Sequence, residues 1–127
     1  MNDTKRRRPV FFDLMQIQMP VGALTSITHR VSGMLLALGI PFGIYVLDLS
    51  LQGPAGYADA IALLDKLPVK LATIAAIWAL AHHLFAGIRH LLSDIDIGSL
   101  LPAARRSAWI VNLAGIAVAL LAAGVLL

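Results

Sequence analysis

The chain has 127 residues, no cysteine, and a formal charge of +3 from ten Lys and Arg set against seven acidic residues, every one an Asp. It is 59% hydrophobic and 13% charged, with a mean hydropathy of +0.84. The length fits one domain over 1–127. So apolar a composition excludes an ordinary soluble core, and the lack of Cys excludes disulfides, thiolate metal sites and Cys-held iron–sulfur clusters supplied by this chain.

Residues 1–8 are polar and basic, with Lys5, Arg6, Arg7 and Arg8 in a run. That run reads as a solvated arm or an orientation signal, with anionic lipid or a partner as the alternative ligand. A cleaved signal peptide is not expected. Asp13, Gln16 and Gln18 interrupt the apolar stretch, and no small-residue cleavage site follows. Residues 9–20 alternate loosely between two prolines and predict a short extended or interfacial segment. Pro20 disfavours helix at Met19 and suits the start of a helix near Val21.

The first membrane span is expected over about 28–51, long enough for a hydrocarbon core of roughly 30 Å. Gly39, Pro41 and Gly43 predict a kink within it, and Asp48 is expected near water at its far end. A loop with Gly53, Pro54 and Gly56 follows, with a short surface helix expected over 58–64. The second span covers 68–92 and opens on Pro68, a favourable first-turn residue. A polar turn is expected over 93–106, and a third span over 107–127. That span has one clearly polar side chain, Asn112. Gly115, Ala119 and Ala123 recur every four residues as a small-xxx-small stripe, weak as a pointer to any particular partner in so Ala-rich a run. Lys5, Arg6, Arg7, Arg8, Arg30, Arg89, Arg105 and Arg106 fall on one side of this layout, and Lys66 and Lys70 on the other. This bias puts the N-terminus inside, in the cytoplasm or the mitochondrial matrix.

The end of the second span holds His82, His83, Arg89, His90 and Asp94. Ionisable groups cost roughly 2.5–3.5 kcal/mol each at a bilayer centre, so they are rare there and usually functional. His83 and His90 lie seven apart and share a helix face, with Gly87 between them. A glycine beside an imidazole leaves a flat hollow suited to a planar macrocycle. His82 and Arg89 form a second pair on a neighbouring face. At the start of the first span Ser26, His29, Arg30 and Gly33 are spaced by three and four residues on one face. Antiparallel packing brings both clusters together in the inner third of the bilayer.

A neutral imidazole can ligate haem iron. Arg and a second His can pair with haem carboxylates, and a Ser beside an Arg can hold a quinone carbonyl. A helix–helix hydrogen bond is the alternative use of any single intramembrane His. Carboxylates are too few and too scattered for a hard-metal site.

Two motifs carry a resemblance: Ser26-Ile27-Thr28-His29-Arg30-Val31-Ser32-Gly33, and His83-Leu84-Phe85-Ala86-Gly87-Ile88-Arg89-His90 with Asp94 four residues on. Together with Arg8-Pro9, Leu14 and the three-span layout, they resemble the large cytochrome b membrane-anchor subunit of succinate dehydrogenase, over nearly the whole chain. The resemblance implies an all-α integral membrane protein whose haem b is shared with a smaller anchor, with His83 as one axial ligand. It implies His29 and Arg30 near the haem propionates, Gly87 and His90 in the pocket, and Ser26 and Arg30 at a ubiquinone site. His82, beside the implied ligand, departs from the pattern. Asp94 matches without a settled role, helix-end ordering or a proton relay. The implied partners are the second anchor, an iron–sulfur subunit and a flavoprotein that carries the succinate-oxidising site, all at a bacterial inner membrane or the mitochondrial inner membrane. A fumarate reductase anchor and a non-redox three-span transporter or assembly subunit are the alternatives.

Overall fold

The computed structural model describes residues 19–127. The basic run Lys5–Arg8, with Pro9 and Leu14, and nearly all of the expected interfacial segment lie outside the described residues. Four helices follow in order: α1 (Val21–Leu51), α2 (Pro54–Leu64), α3 (Leu67–Asp94) and α4 (Leu101–Leu126). The first, third and fourth are long and apolar enough to cross a membrane. The protein is an all-α integral membrane fold, and no strand occurs among the described residues.

Helix α1 starts at the expected point. Pro20 is extended (φ −65°, ψ 149°), and its carbonyl accepts the amide of Ala23 at 2.9 Å. Pro41 falls inside α1 without ending it. The short helix begins four residues earlier than expected, because Gly53 takes a φ of 99° that turns the chain and puts Pro54 in the first helical turn. α2 packs back on the end of α1 at Gly56, where a β-carbon would run into the Leu49 carbonyl oxygen and stand 2.9 Å from Gln52 Cβ. Lys70 reaches back from α3 to Asp65 at 2.7 Å, and this hydrogen bond holds the exposed carboxyl below its ordinary range.

The expected turn over 93–106 is shorter in the structure, and α4 begins at Leu101 rather than at Ser107. Pro102 is the physical reason: it sits in the first turn of the helix, where its missing N–H costs nothing. The turn itself uses left-handed backbone at Asp96 (φ 61°) and Gly98 (φ 74°).

α3 is the hub and touches both α1 and α4. Its seam with α4 is built from small residues. Ala79, Ala86 and Ala108 are fully buried, and Gly115 meets His82. Small side chains let the two backbones approach, which matters where lipid supplies no hydrophobic driving force between helices. Large apolar side chains such as Leu38, Leu80 and Leu120 are exposed on the outside, as lipid-facing residues should be.

Candidate functional site

α3 carries two polar faces, each seven residues long in its repeat. His83 and His90 face α1, whereas His82 and Arg89 face α4. The second face is structural. His82 is 1% exposed, and its Nε2 lies 3.1 Å from the Asn112 side chain. Trp78 covers it with ring centroids 5.6 Å apart, and a β-carbon on Gly115 would come within 3.3 Å of its Cβ. Arg89 Nε donates to Ser107 Oγ at 3.0 Å and its Nη2 to the Ala104 carbonyl at 3.3 Å, fastening the first turns of α4.

Asn112 also reaches α1. Oδ1 as placed is 3.2 Å from Thr25 Oγ1, but Thr25 has one hydroxyl hydrogen and the Val21 carbonyl, 2.9 Å away, competes for it. Rotating the amide by 180° removes that competition and leaves the His82 Nδ1 proton without a partner among the described residues. Nδ2 then donates to Thr25 and to His82 Nε2, and the His82 proton sits on Nδ1. In either orientation three helices meet at one half-buried side chain.

The first face gathers the imidazoles. His29 of α1 inserts between the two histidines of α3, stacked on His83 at 4.2 Å and 27° and tilted against His90 at 5.2 Å and 38°. The hollow expected beside Gly87 therefore receives His29: a β-carbon there would lie 3.7 Å from His29 Nε2. Against the His83 ring lies Gly33 instead, so close that a β-carbon would be 2.9 Å from Cε1.

His83 Nδ1 is 3.1 Å from the His29 carbonyl and 3.2 Å from Ser32 Oγ. Ser32 spends its own hydrogen on the same carbonyl at 2.7 Å. Both neighbours accept, so Nδ1 carries the proton and Nε2 keeps its lone pair. A carbonyl fixing one ring nitrogen while the other is left basic is how proteins orient an imidazole for iron.

Three features fit a haem edge: the fixed tautomer of His83, the glycine cradle that a β-carbon would fill, and the buried His29 Nε2 with no hydrogen-bond partner among the described residues. Among those residues no group of three or more His, Cys, Asp or Glu is arranged to hold a bare metal ion. Ser26 is half-buried and Arg30 exposed on α1, one turn apart. Asp94 is exposed at the end of α3 and forms no ion pair among the described residues.

Residues 4–123 match the family described as the succinate dehydrogenase/fumarate reductase transmembrane subunit. The chain belongs to that family. It is 38% identical over 106 residues to the succinate dehydrogenase cytochrome b556 subunit of Coxiella burnetii (strain RSA 493 / Nine Mile phase I), covering 83% of this chain and 85% of that one. It is 32% identical over 108 residues to the protein of the same description from Paracoccus denitrificans, covering 84% and 83%. The expected membership in the succinate dehydrogenase anchor family thus holds.

Ser32 and Asn112 were undervalued by spacing alone. Ser32 precedes Gly33 inside the first motif, and Asn112 is the one amide in an apolar span; each was a signal without a visible partner.

Proposed function

We propose that this chain is the membrane-anchor cytochrome b subunit of a succinate:quinone oxidoreductase, with His83 as one axial ligand of a shared haem b. The observation that carries the reading is the His83 imidazole itself, with its Nδ1–H on the His29 carbonyl, its Nε2 free and Gly33 beneath the ring. The cytochrome b556 description of both relatives supports a b-type haem.

His29 and Arg30 would hold the haem carboxylates, because an imidazole N–H and a guanidinium stabilise anions that would otherwise be unpaired in low dielectric. Gly87 keeps the wall flat beside His29, and His90 closes the row. Bound haem supplies a one-electron centre beside the quinone site. One helix cannot present imidazoles to both faces of a macrocycle, so a smaller anchor subunit would supply the second ligand.

Ubiquinone binds at Ser26 and Arg30. The Ser26 hydroxyl donates to a carbonyl, and Arg30 offsets the negative charge that develops on reduction. Protons then arrive from the inner aqueous side, where Asp94 stands at the helix end. Succinate is oxidised on a flavoprotein, and an iron–sulfur subunit brings the electrons to this chain. The distribution of basic residues favours an N-terminus in the cytoplasm or matrix, in a bacterial inner membrane or the mitochondrial inner membrane.

The test is a reduced-minus-oxidised spectrum of membranes with and without the chain. Bands of a b-type haem that vanish with the chain, alongside loss of membrane-bound flavoprotein, are the expected result. Unchanged bands overturn the reading. Family membership leaves the anchor of a fumarate reductase as the second reading, distinguished by which direction of turnover the purified complex sustains.

A further inference from the structure

Consecutive residues on a helix point about 100° apart, and the tandem His82-His83 pair uses that angle. His82 is buried against α4 and His83 is turned to α1. Nothing in the pair itself decides which imidazole faces which way. Both flanking surfaces accept a ring, and Gly115 and Gly33 each lie against one. On the α4 side stands Asn112, a half-buried amide bonded to His82 on one side and to Thr25 of α1 on the other, so that it alone joins the pair to both flanking helices.

We propose that Asn112 is a positioning residue for haem ligation: through His82 it locks the rotation of α3, and so selects His83 as the ligand and sets the orientation of its ring. The proposal rests on the reading of His83 as the haem ligand. Three features make the clamp a lock. Its three members come from three different helices, so a rotation of α3 cannot be followed by its partners. Gly115 faces the ring so closely that a β-carbon there would stand 3.3 Å from His82 Cβ and 3.5 Å from Cδ2. His82 Nδ1 has no partner among the described residues, so the bond from Nε2 to Asn112 is the one hydrogen bond that the buried ring makes there, and losing it would leave the whole imidazole unpaired.

The experiment uses the assembled complex carrying His82→Leu, Asn112→Leu, both together, and His82→Gln. The readouts are the low-spin electron paramagnetic resonance g-values of oxidised haem and its midpoint potential. Each single Leu variant is expected to keep haem but to move both readouts in the same direction. His82→Gln, whose amide reaches the position of Nε2, returns them toward wild type. The double variant removes both partners and leaves neither His82 nor Asn112 unpaired, so its stability recovers. A clamp that only holds the helices together would then give wild-type spectra, whereas a positioning clamp leaves them shifted by about as much as one single variant. Gly115→Ala, whose β-carbon presses on His82 without removing a polar group, gives a smaller displacement and serves if the Leu variants fail to assemble. Wild-type g-values and potential in the double variant, or in Gly115→Ala where that alone assembles, overturn the proposal. Failure of the underlying reading looks different: His83→Leu would then retain six-coordinate low-spin haem.

Discussion

Gly33 lies so close beneath His83 that a single added carbon would stand 2.9 Å from Cε1. Gly33→Ala is therefore expected to push the imidazole off its position. Low-spin haem should fall to a minor fraction, and Gly33→Val should abolish it. Gly39 and Gly43 on the same helix have nothing within 4 Å of a β-carbon, so Gly39→Ala and Gly43→Ala should leave the spectrum unchanged. Optical spectra of the four membranes make the comparison.

His83→Leu is expected to remove or severely perturb low-spin haem, whereas His82→Leu retains it. The second change carries a different penalty. It strips Asn112 of a partner, and a buried polar group left unpaired costs roughly 1–3 kcal/mol. The His82→Leu complex should thus keep its haem bands but lose them at a lower temperature, which heating while following the absorbance will reveal.

Gly87 sits 3.7 Å, as a notional β-carbon, from His29 Nε2. Ala there makes an ordinary contact and should be tolerated. Leu must displace His29 from between His83 and His90, and haem incorporation should fail while the chain still inserts, since Leu is fully acceptable to lipid. Normal haem content in Gly87→Leu would mean that the cofactor approaches from another side.

Ser26→Ala and Arg30→Leu should impair quinone reduction and spare succinate oxidation by a soluble dye. A hydrogen bond to a charged group contributes roughly 1.5–3 kcal/mol, which corresponds to about ten- to a hundredfold in rate or affinity. The Arg30 change should be the larger. The ratio of quinone-dependent to dye-dependent turnover isolates the effect, and a wild-type ratio in both variants would move the quinone site elsewhere.

The three spans were legible because length and hydropathy set them, and the Pro20 start was legible because proline constrains both itself and its predecessor. The start of α4 was misread by six residues. Arg105 and Arg106 look like loop, yet a helix end at the interface holds them easily, and Pro102 begins that helix by the same rule already applied to Pro68. Within the site, the shared face of His83 and His90 follows from helical periodicity alone. The insertion of His29 between them does not, because it depends on how far α1 is rotated against α3. For the same reason Asn112 showed its polarity in the sequence but not its partners, which come from two other helices.

The division of α3 into two faces also bears on how the protein reaches its place in the lipid. α3 is the least hydrophobic of the three spans, at 1.7 against 1.9 and 2.3, and α4 is the most. A solitary α3 in hydrocarbon would hold Arg89 and His82 without Ser107, Ala104 and Asn112, and intramembrane polar groups without partners are expensive. Only six residues, 95–100, separate α3 from α4. The physical economy lies in a hairpin: α4 brings the hydrogen-bond partners that make its predecessor soluble in fat, so truncation before Leu101 should strand α3 outside the bilayer rather than merely shorten the protein.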